Sequence, residues 1–278
     1  MYKISPLTPL FFNPSTDAGL KSRYIQEFCK TDHILLQIIG EGETSQPSVF
    51  LYSYGLNMNI DVEMLSWQMN DNQIVFFKEF FGLDEGIYSV VVEGMMSEPF
   101  IVKEEIKDSV LIQYSNADNK QRTDTSFYID GMHYFFDFRV PGGFKDDDWA
   151  FGVDNEQYTT SNYDVLDIYA SSYTTKTLTL GNARGCPIWF GDLLNRLLCC
   201  HYVYIDGIRY TRMDSNIPEL NIIIEGVRTY VIKQSLRKVE YIDGEIEQAN
   251  QYLIRRTQGD TYRMVDGEVL TNNPKIIL

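Results

Sequence analysis

Four short β-prone runs in this chain each reach an Asp-Gly pair and then resume. Asp-Gly is the preferred pair for a two-residue hairpin turn, because both central residues need positive φ. The Tyr, Ile, Val and Met residues around these pairs mostly favour strands. The runs are Tyr128–Gly131, Tyr204–Gly207, Tyr241–Gly244 and Met264–Gly267. We therefore predict a mainly β, hairpin-built protein, with structural turns at Asp130, Gly131, Asp206, Gly207, Asp243 and Gly244.

The net charge of the chain argues against a nucleic-acid partner, and its hydropathy argues against a membrane partner. The 278 residues carry a formal net charge of −15, whereas a nucleic-acid surface needs clustered Lys and Arg. The densest basic stretch, Lys233–Lys238, fits a solvated strand face. No run of 18 apolar residues exists, and the first residues lack the pattern of a secretory signal. We expect no nucleic-acid partner, no membrane partner and no secretory signal.

The sequence offers no recognisable catalytic or metal-binding constellation. It holds four Cys and three His, without Cys-x-x-Cys or a nucleophile motif. Buried, reduced thiols made in a cytoplasm fit this usage. The acidic stretch Asp146–Asp148, with Asp154 and Glu156, could supply oxygens for Ca²⁺, but the EF-hand spacing is absent and a solvated loop is favoured. We predict no enzyme activity, no catalytic residues, no cofactor and no metal.

The first third of the chain indicates an arm followed by a sandwich. Residues 1–30 contain three prolines and the apolar run Leu10–Phe12. This arm could dock onto another subunit or lie as a strand along its own domain. Residues 31–105 alternate strands and turns, and Asp84-x-Gly86-x-Tyr88 has the pattern of a tyrosine corner. We predict an Ig-like β-sandwich here, with Asp84, Gly86 and Tyr88 as its structural corner.

Residues 106–278 are predicted to form a second β-rich domain, a β-sandwich or hairpin domain with one packed helix. Apolar residues follow the i, i+3, i+4, i+7, i+8 spacing between Phe190 and Leu198, which predicts a helix at about 187–199. Pro141–Gly143 is expected to end the strand that leaves the first hairpin. The acidic, Tyr-rich stretch from Phe144 to Ser172 has no clean period, although Tyr163–Ser172 could contain a strand.

Six short pieces of the chain form a recognisable series when taken in order. They are Ser97–Lys103, Val110–Asn116, Tyr128–Phe144, Gly181–Trp189, Asn195–Cys199 and Tyr204–Tyr210. In this order they resemble tail and baseplate-type virion proteins of phages and prophages of gut bacteria. The resemblance spans about residues 30 to 240 and transfers no catalytic residue. It implies a virion structural protein, made in the host bacterial cytoplasm, whose partners are copies of itself and other virion proteins on the tail, hub or portal side.

The sequence thus favours a non-enzymatic subunit of a phage tail, baseplate or neck-ring assembly that works as a homo-oligomeric ring or adaptor. Hairpins, aromatic-rich sheets and arms suit such contacts between neighbours. The alternative is a carbohydrate-binding or host-adhesion module, in which Trp149 and nearby tyrosines would stack on sugars. An enzyme with an unrecognised site is the third hypothesis.

Overall fold

The computed structural model describes residues 1–12, 24–43, 45–120, 122–181, 185–213, 219–224 and 229–239, together with short strands after residue 255. For 145–148, 219–224 and the strands after 255, only the backbone is described. Strand is the dominant structure throughout, and the described residues contain a single helix. The predicted fold class, mainly β with one helix, is confirmed.

The first ten strands make two facing sheets. Their pairing orders are β1-β3-β7-β6 and β2-β10-β8-β4-β5, and β9 pairs with β8. The bounds are β1 (Tyr2–Ile4), β2 (Gln26–Cys29), β3 (Ile34–Glu41), β4 (Val49–Ser53), β5 (Met58–Asp61), β6 (Leu65–Asn70), β7 (Gln73–Phe80), β8 (Gly86–Val92), β9 (Met95–Met96) and β10 (Phe100–Lys103).

In the letters used for Ig domains, β1, β3, β7 and β6 correspond to strands A, B, E and D, and β5, β4, β8 and β10 correspond to C′, C, F and G. This is the strand order of an Ig-like sandwich. One core lies between the two sheets and includes Phe28, Leu36, Phe76 and Phe100. β2 adds to the second sheet parallel to β10. The tyrosine-corner motif lies at the start of β8, where the Tyr88 hydroxyl donates to the Asp84 carbonyl over 3.0 Å.

The segment predicted as an N-terminal arm supplies strands to the sandwich. β1 pairs with β3 and β2 with β10, so of the two alternatives the structure favours a segment lying along its own domain. The apolar run is divided between cores: Leu10 packs in the sandwich core, and the Phe11 ring stacks on Phe190 of the helix at 5.2 Å. The arm therefore joins the two parts of the chain.

The second part contains the remaining elements. They are β11 (Ser109–Ser115), β12 (Tyr128–Ile129), β13 (Met132–His133), β14 (Phe136–Thr159), β15 (Val165–Leu180), α1 (Ile188–Leu197), β16 (Tyr202–Ile205), β17 (Ile208–Arg212), β18 (Glu219–Ile224), β19 (Thr229–Lys238), β20 (Arg256–Thr257), β21 (Asp260–Val265), β22 (Glu268–Thr271) and β23 (Ile276–Ile277).

The main sheet of this part closes on itself. Its order is β15-β14-β11-β16-β17-β19, and β15 also pairs with β19, so these six strands form a closed sheet. β18 pairs with β19 as well. α1 buries Phe190, Leu193, Leu194 and Leu197 against this sheet. The helix matches the predicted apolar face and is slightly shorter than the predicted 187–199. Closure leaves few unpaired strand edges in this sheet.

The two parts share a core and a buried polar network. Leu35 and Phe77 on the outer face of the first sandwich sheet pack in the same cluster as Phe136 and Tyr114 of the second part. This explains why every residue of β3 except the last is buried. Polar groups cross the same boundary: Arg139 binds Asp32 through two nitrogens at 2.6 and 2.7 Å.

Two predictions about the region after the first hairpin are wrong. Pro141–Gly143 does not end a strand, because β14 continues through it to Thr159. The reason is that Gly142, at φ +124°, passes so close to β15 that an added Cβ would lie 2.1 Å from the Thr179 carbonyl oxygen. Glycine here permits a close crossing within a continuous strand. The acidic residues Asp146–Asp148, Asp154 and Glu156, predicted as a solvated loop, instead lie in one strand of a long hairpin, and the possible strand at Tyr163–Ser172 falls in its other strand from Val165.

Candidate interaction surface

The outer part of this long hairpin extends beyond the closed sheet and the sandwich, which together form the body of the protein. Among the described residues it carries the most exposed apolar side chains. We define the ribbon as Trp149–Thr159 and Val165–Thr174 with the turn between them. The turn is closed by a hydrogen bond from the Thr160 amide to the Asp164 carbonyl over 2.8 Å. Phe151 is 80% exposed and Tyr163, at the tip, is 89% exposed. Side chains of this type are normally buried or used in contacts.

The strand register gives the ribbon two unlike faces over most of its length. Residues directly opposite each other share a face, and Phe151 lies opposite Thr174 and Val153 opposite Ser172. With Trp149, these residues make the apolar face. The intervening positions make the acidic face, on which Asp154 lies opposite Ser171 and Glu156 opposite Tyr169.

The pattern changes near the tip, where one strand carries an extra residue. The register shifts between Glu156 and Gln157, so that Ile168 has no directly opposite partner. Beyond this bulge, Tyr158 lies opposite Leu166, and both are exposed. Because successive side chains of a strand point to opposite faces, Tyr158 lies on the same face as Asp154 and Glu156. Near its end the ribbon therefore places apolar side chains on the face that is acidic lower down.

Two cations hold the base of the ribbon to the body. The Lys176 ammonium lies 3.6 Å from the centre of the Trp149 ring. Arg237 donates to Asp154 over 2.7 Å and lies over the Tyr173 ring. These contacts fix the orientation of the base. The Lys176 ammonium also occupies one face of Trp149, the residue that the adhesion hypothesis would use to stack on a sugar.

The first two Asp-Gly pairs occupy tight turns with the backbone that the sequence requires. The φ values are 51° at Asp130, 75° at Gly131, 47° at Asp206 and 80° at Gly207. In both hairpins the flanking residues pair directly across the turn. Asp206 also docks its turn, because its carboxylate accepts from the Leu111 amide over 2.9 Å.

The later Asp-Gly pairs fall mainly outside the described residues. Asp243 and Gly244 are among the residues that the structure does not describe, and so is the fourth pair. The strands on either side of that fourth pair are described, and Val265 pairs with Glu268. This pairing is the register of a two-residue hairpin.

One buried serine and histidine lie within hydrogen-bonding distance, a contact that the sequence did not indicate. Ser115 Oγ is 2.7 Å from His133 Nε2 and donates to the Tyr134 carbonyl. The same Nε2 faces the Asn116 carbonyl at 3.1 Å, so this nitrogen carries a proton and donates. A general base needs the opposite arrangement. Burial also lowers the pKa of His133 to about 4, so we assign this pair a structural role.

His33 and two of the cysteines also lie in structural settings. His33 Nδ1 lies 2.6 Å from a Glu79 carboxylate oxygen, and its ring stacks on Phe81. The four cysteines carry free thiols, and burial raises the pKa of both Cys186 and Cys200 to about 12. Within the described ranges, no group of three or more His, Cys, Asp or Glu side chains is placed to hold a metal ion.

Comparisons with protein-family models, curated proteins and solved structures found no match. None of the described residues forms a helix long and apolar enough to cross a membrane. The geometry of the described residues, above all the exposed ribbon, is therefore the basis for a functional proposal.

Proposed function

We propose that this protein is a non-enzymatic structural subunit that assembles with copies of itself into a ring or adaptor, in a phage tail, baseplate or neck. The observation that carries the proposal is the ribbon, which presents uncovered aromatic and aliphatic side chains. Apolar side chains exposed next to one another, such as Trp149, Phe151 and Val153, are typical of contact sites. The resemblance to tail and baseplate proteins, described above, supplies the setting.

The packing of the rest of the protein supports a role as a rigid subunit that holds the ribbon in place. Residues on the outer face of the sandwich pack in the core of the second part. The Arg139–Asp32 pair also links the two parts, and the Asp32 side chain is only 1% exposed. A body of this kind resists changes in shape, because packed interiors transmit strain. Such a body can hold the ribbon in a fixed direction, as a repeating subunit of a ring requires.

The test is the mass and shape of the purified full-length chain. Native mass spectrometry across a concentration series, with negative-stain imaging, is expected to show a closed ring of one stoichiometry. A glycan array run in parallel is expected to show no binding. A chain that stays monomeric at the highest concentration, or that binds a defined glycan, would contradict the proposal.

A further inference from the structure

The two edges of the ribbon are open. β14 pairs with β11 only as far as Pro141, and β15 pairs with β19 only from Thr175 to Leu180. In the part of the chain that the structure describes, no strand pairs with the outer edge of Trp149–Thr159 or of Val165–Tyr173. The two open edges are roughly 30 to 37 Å long at about 3.4 Å per residue. Long open edges are templates for further strands.

A ribbon of two strands is also a poor structure by itself. An isolated hairpin is marginally stable in water, and an apolar face needs cover from further strands or another layer. Here Phe151 and Val153 are exposed on one face, while Asp154 and Glu156 lie on the other. A satisfactory partner must therefore pair both edges and cover one face.

Copies of the same ribbon meet both requirements when about four of them combine, because side chains fill the interior of a barrel of about eight strands. Within each copy β14 runs outward to the tip and β15 runs back. When copies stand side by side around an axis and point the same way, β15 of one lies beside β14 of the next with opposite chain direction. Every junction is then antiparallel, and the head-to-tail contact closes without free edges. A face-to-face dimer would cover the apolar face and leave all four edges open.

We infer that ribbons of adjacent copies pair edge to edge, β14 of one copy against β15 of the next, and close a β-barrel. This inference rests on the proposed ring-forming function and names its contact. The apolar face with Phe151 and Val153 turns into the barrel. The acidic face, with Asp154 and Glu156, turns to water, where like charges from neighbouring copies lie farther apart.

Two matched substitutions test the inference in the full-length chain. Val153→Lys places a charge on the apolar face, and Ser171→Lys places the same charge on the acidic face of the same ribbon. Both positions lie on the ribbon, away from the cores, so the urea midpoint of the monomer is expected to stay unchanged in both variants. In native mass spectra we expect Val153→Lys to lower the ring fraction at least tenfold and Ser171→Lys to leave it within about twofold.

Hydrogen exchange supplies an independent measurement. In a lone ribbon, about half the amides of each strand point outward without an acceptor and exchange fast. In the ring, the amides of Val165–Tyr173 are expected to exchange at least tenfold more slowly than in monomer prepared by dilution. Unchanged exchange in an intact ring, or a Val153→Lys ring as abundant as the wild type, would overturn the inference while leaving the ring function in place.

Two further outcomes address other occupants of the ribbon. If the wild type forms no ring at any concentration, the proposed function fails and the inference fails with it. If the monomer instead releases dye from vesicles of phosphatidylcholine and phosphatidylglycerol, and Val153→Lys abolishes release, the ribbon takes a membrane as its partner and the inference is overturned.

Discussion

The link between Arg139 and Asp32 gives the sharpest test of how the two parts are joined. The guanidinium donates to both carboxylate oxygens, and Asp32 receives one further hydrogen bond from the Cys29 amide over 2.7 Å. Arg139→Met removes both charged donors and keeps most of the apolar stem. The buried carboxylate then retains a single partner. Loss of one member of a buried pair costs about 3–5 kcal/mol, and we expect a destabilisation in that range.

A second bidentate pair in the same molecule serves as the control. Arg122 also binds Asp124 through two nitrogens, at 2.7 and 2.9 Å, but the Asp124 side chain is 47% exposed. Water can replace the lost donors there, so Arg122→Met is expected to cost about 1 kcal/mol or less. The geometry of the two pairs is alike, and their burial differs.

The assay is equilibrium urea unfolding at pH 7, followed by tryptophan fluorescence and far-UV circular dichroism. The double variant Arg139→Met/Asp32→Asn is expected to recover at least about 1 kcal/mol relative to Arg139→Met, because the uncompensated charge is gone. If Arg139→Met and Arg122→Met destabilise equally, the buried pair does not join the two parts as argued. Separate unfolding of the two parts in the wild type would lead to the same conclusion.

Three further perturbations test individual features. Gly207→Val is expected to cost roughly 2 kcal/mol in urea unfolding and Gly207→Asn less than 1, because only the β-branched residue resists the φ of 80° in this open turn; equal costs would argue against the turn. Tyr88→Phe removes the hydroxyl that binds Asp84 and is expected to cost about 1 kcal/mol, whereas Tyr52→Phe, whose hydroxyl bonds at the surface, should cost less. His133 has a folded-state pKa of about 4 against 6.5 when free, so the unfolded chain binds the extra proton; stability is expected to fall by about 2 kcal/mol from pH 7 to pH 5 relative to His133→Gln, and a pH profile identical in the two proteins would contradict the assignment.

Much of the architecture was readable from local patterns. The helix follows from the spacing of Phe190, Leu193, Leu194 and Leu197, and its buried side is the predicted one. Hairpins follow from the Asp-Gly pairs, because few residue pairs adopt the required backbone. In each of these cases a short segment determines its own conformation.

The ribbon could not be predicted in the same way. A strand with one buried face must alternate apolar and polar residues, but a projecting ribbon has no such constraint from its own body. Its register shifts near Phe144 and again after Glu156, which erases any single period. The alternation Trp149, Phe151, Val153 was the one local signal, and it was too short to outweigh the acidic residues around it.

The shared core was missed for a different reason. A continuous apolar run such as that of β3 indicates burial on both faces, but it does not say what covers the second face. Contacts such as Leu35 with the second part depend on residues far away along the chain. The position of Phe11 against Phe190 is another contact of this kind.

The continuity of β14 has a mechanical consequence. The same strand contains Arg139, in the junction between the two parts, and Phe151, far out on the ribbon, without an intervening loop. A pull on the tip would therefore load the hydrogen bonds of the closed sheet in shear rather than unfolding a hinge. Neighbours that bind the assembled ribbons would therefore be connected, through this one strand, to the orientation of the whole subunit.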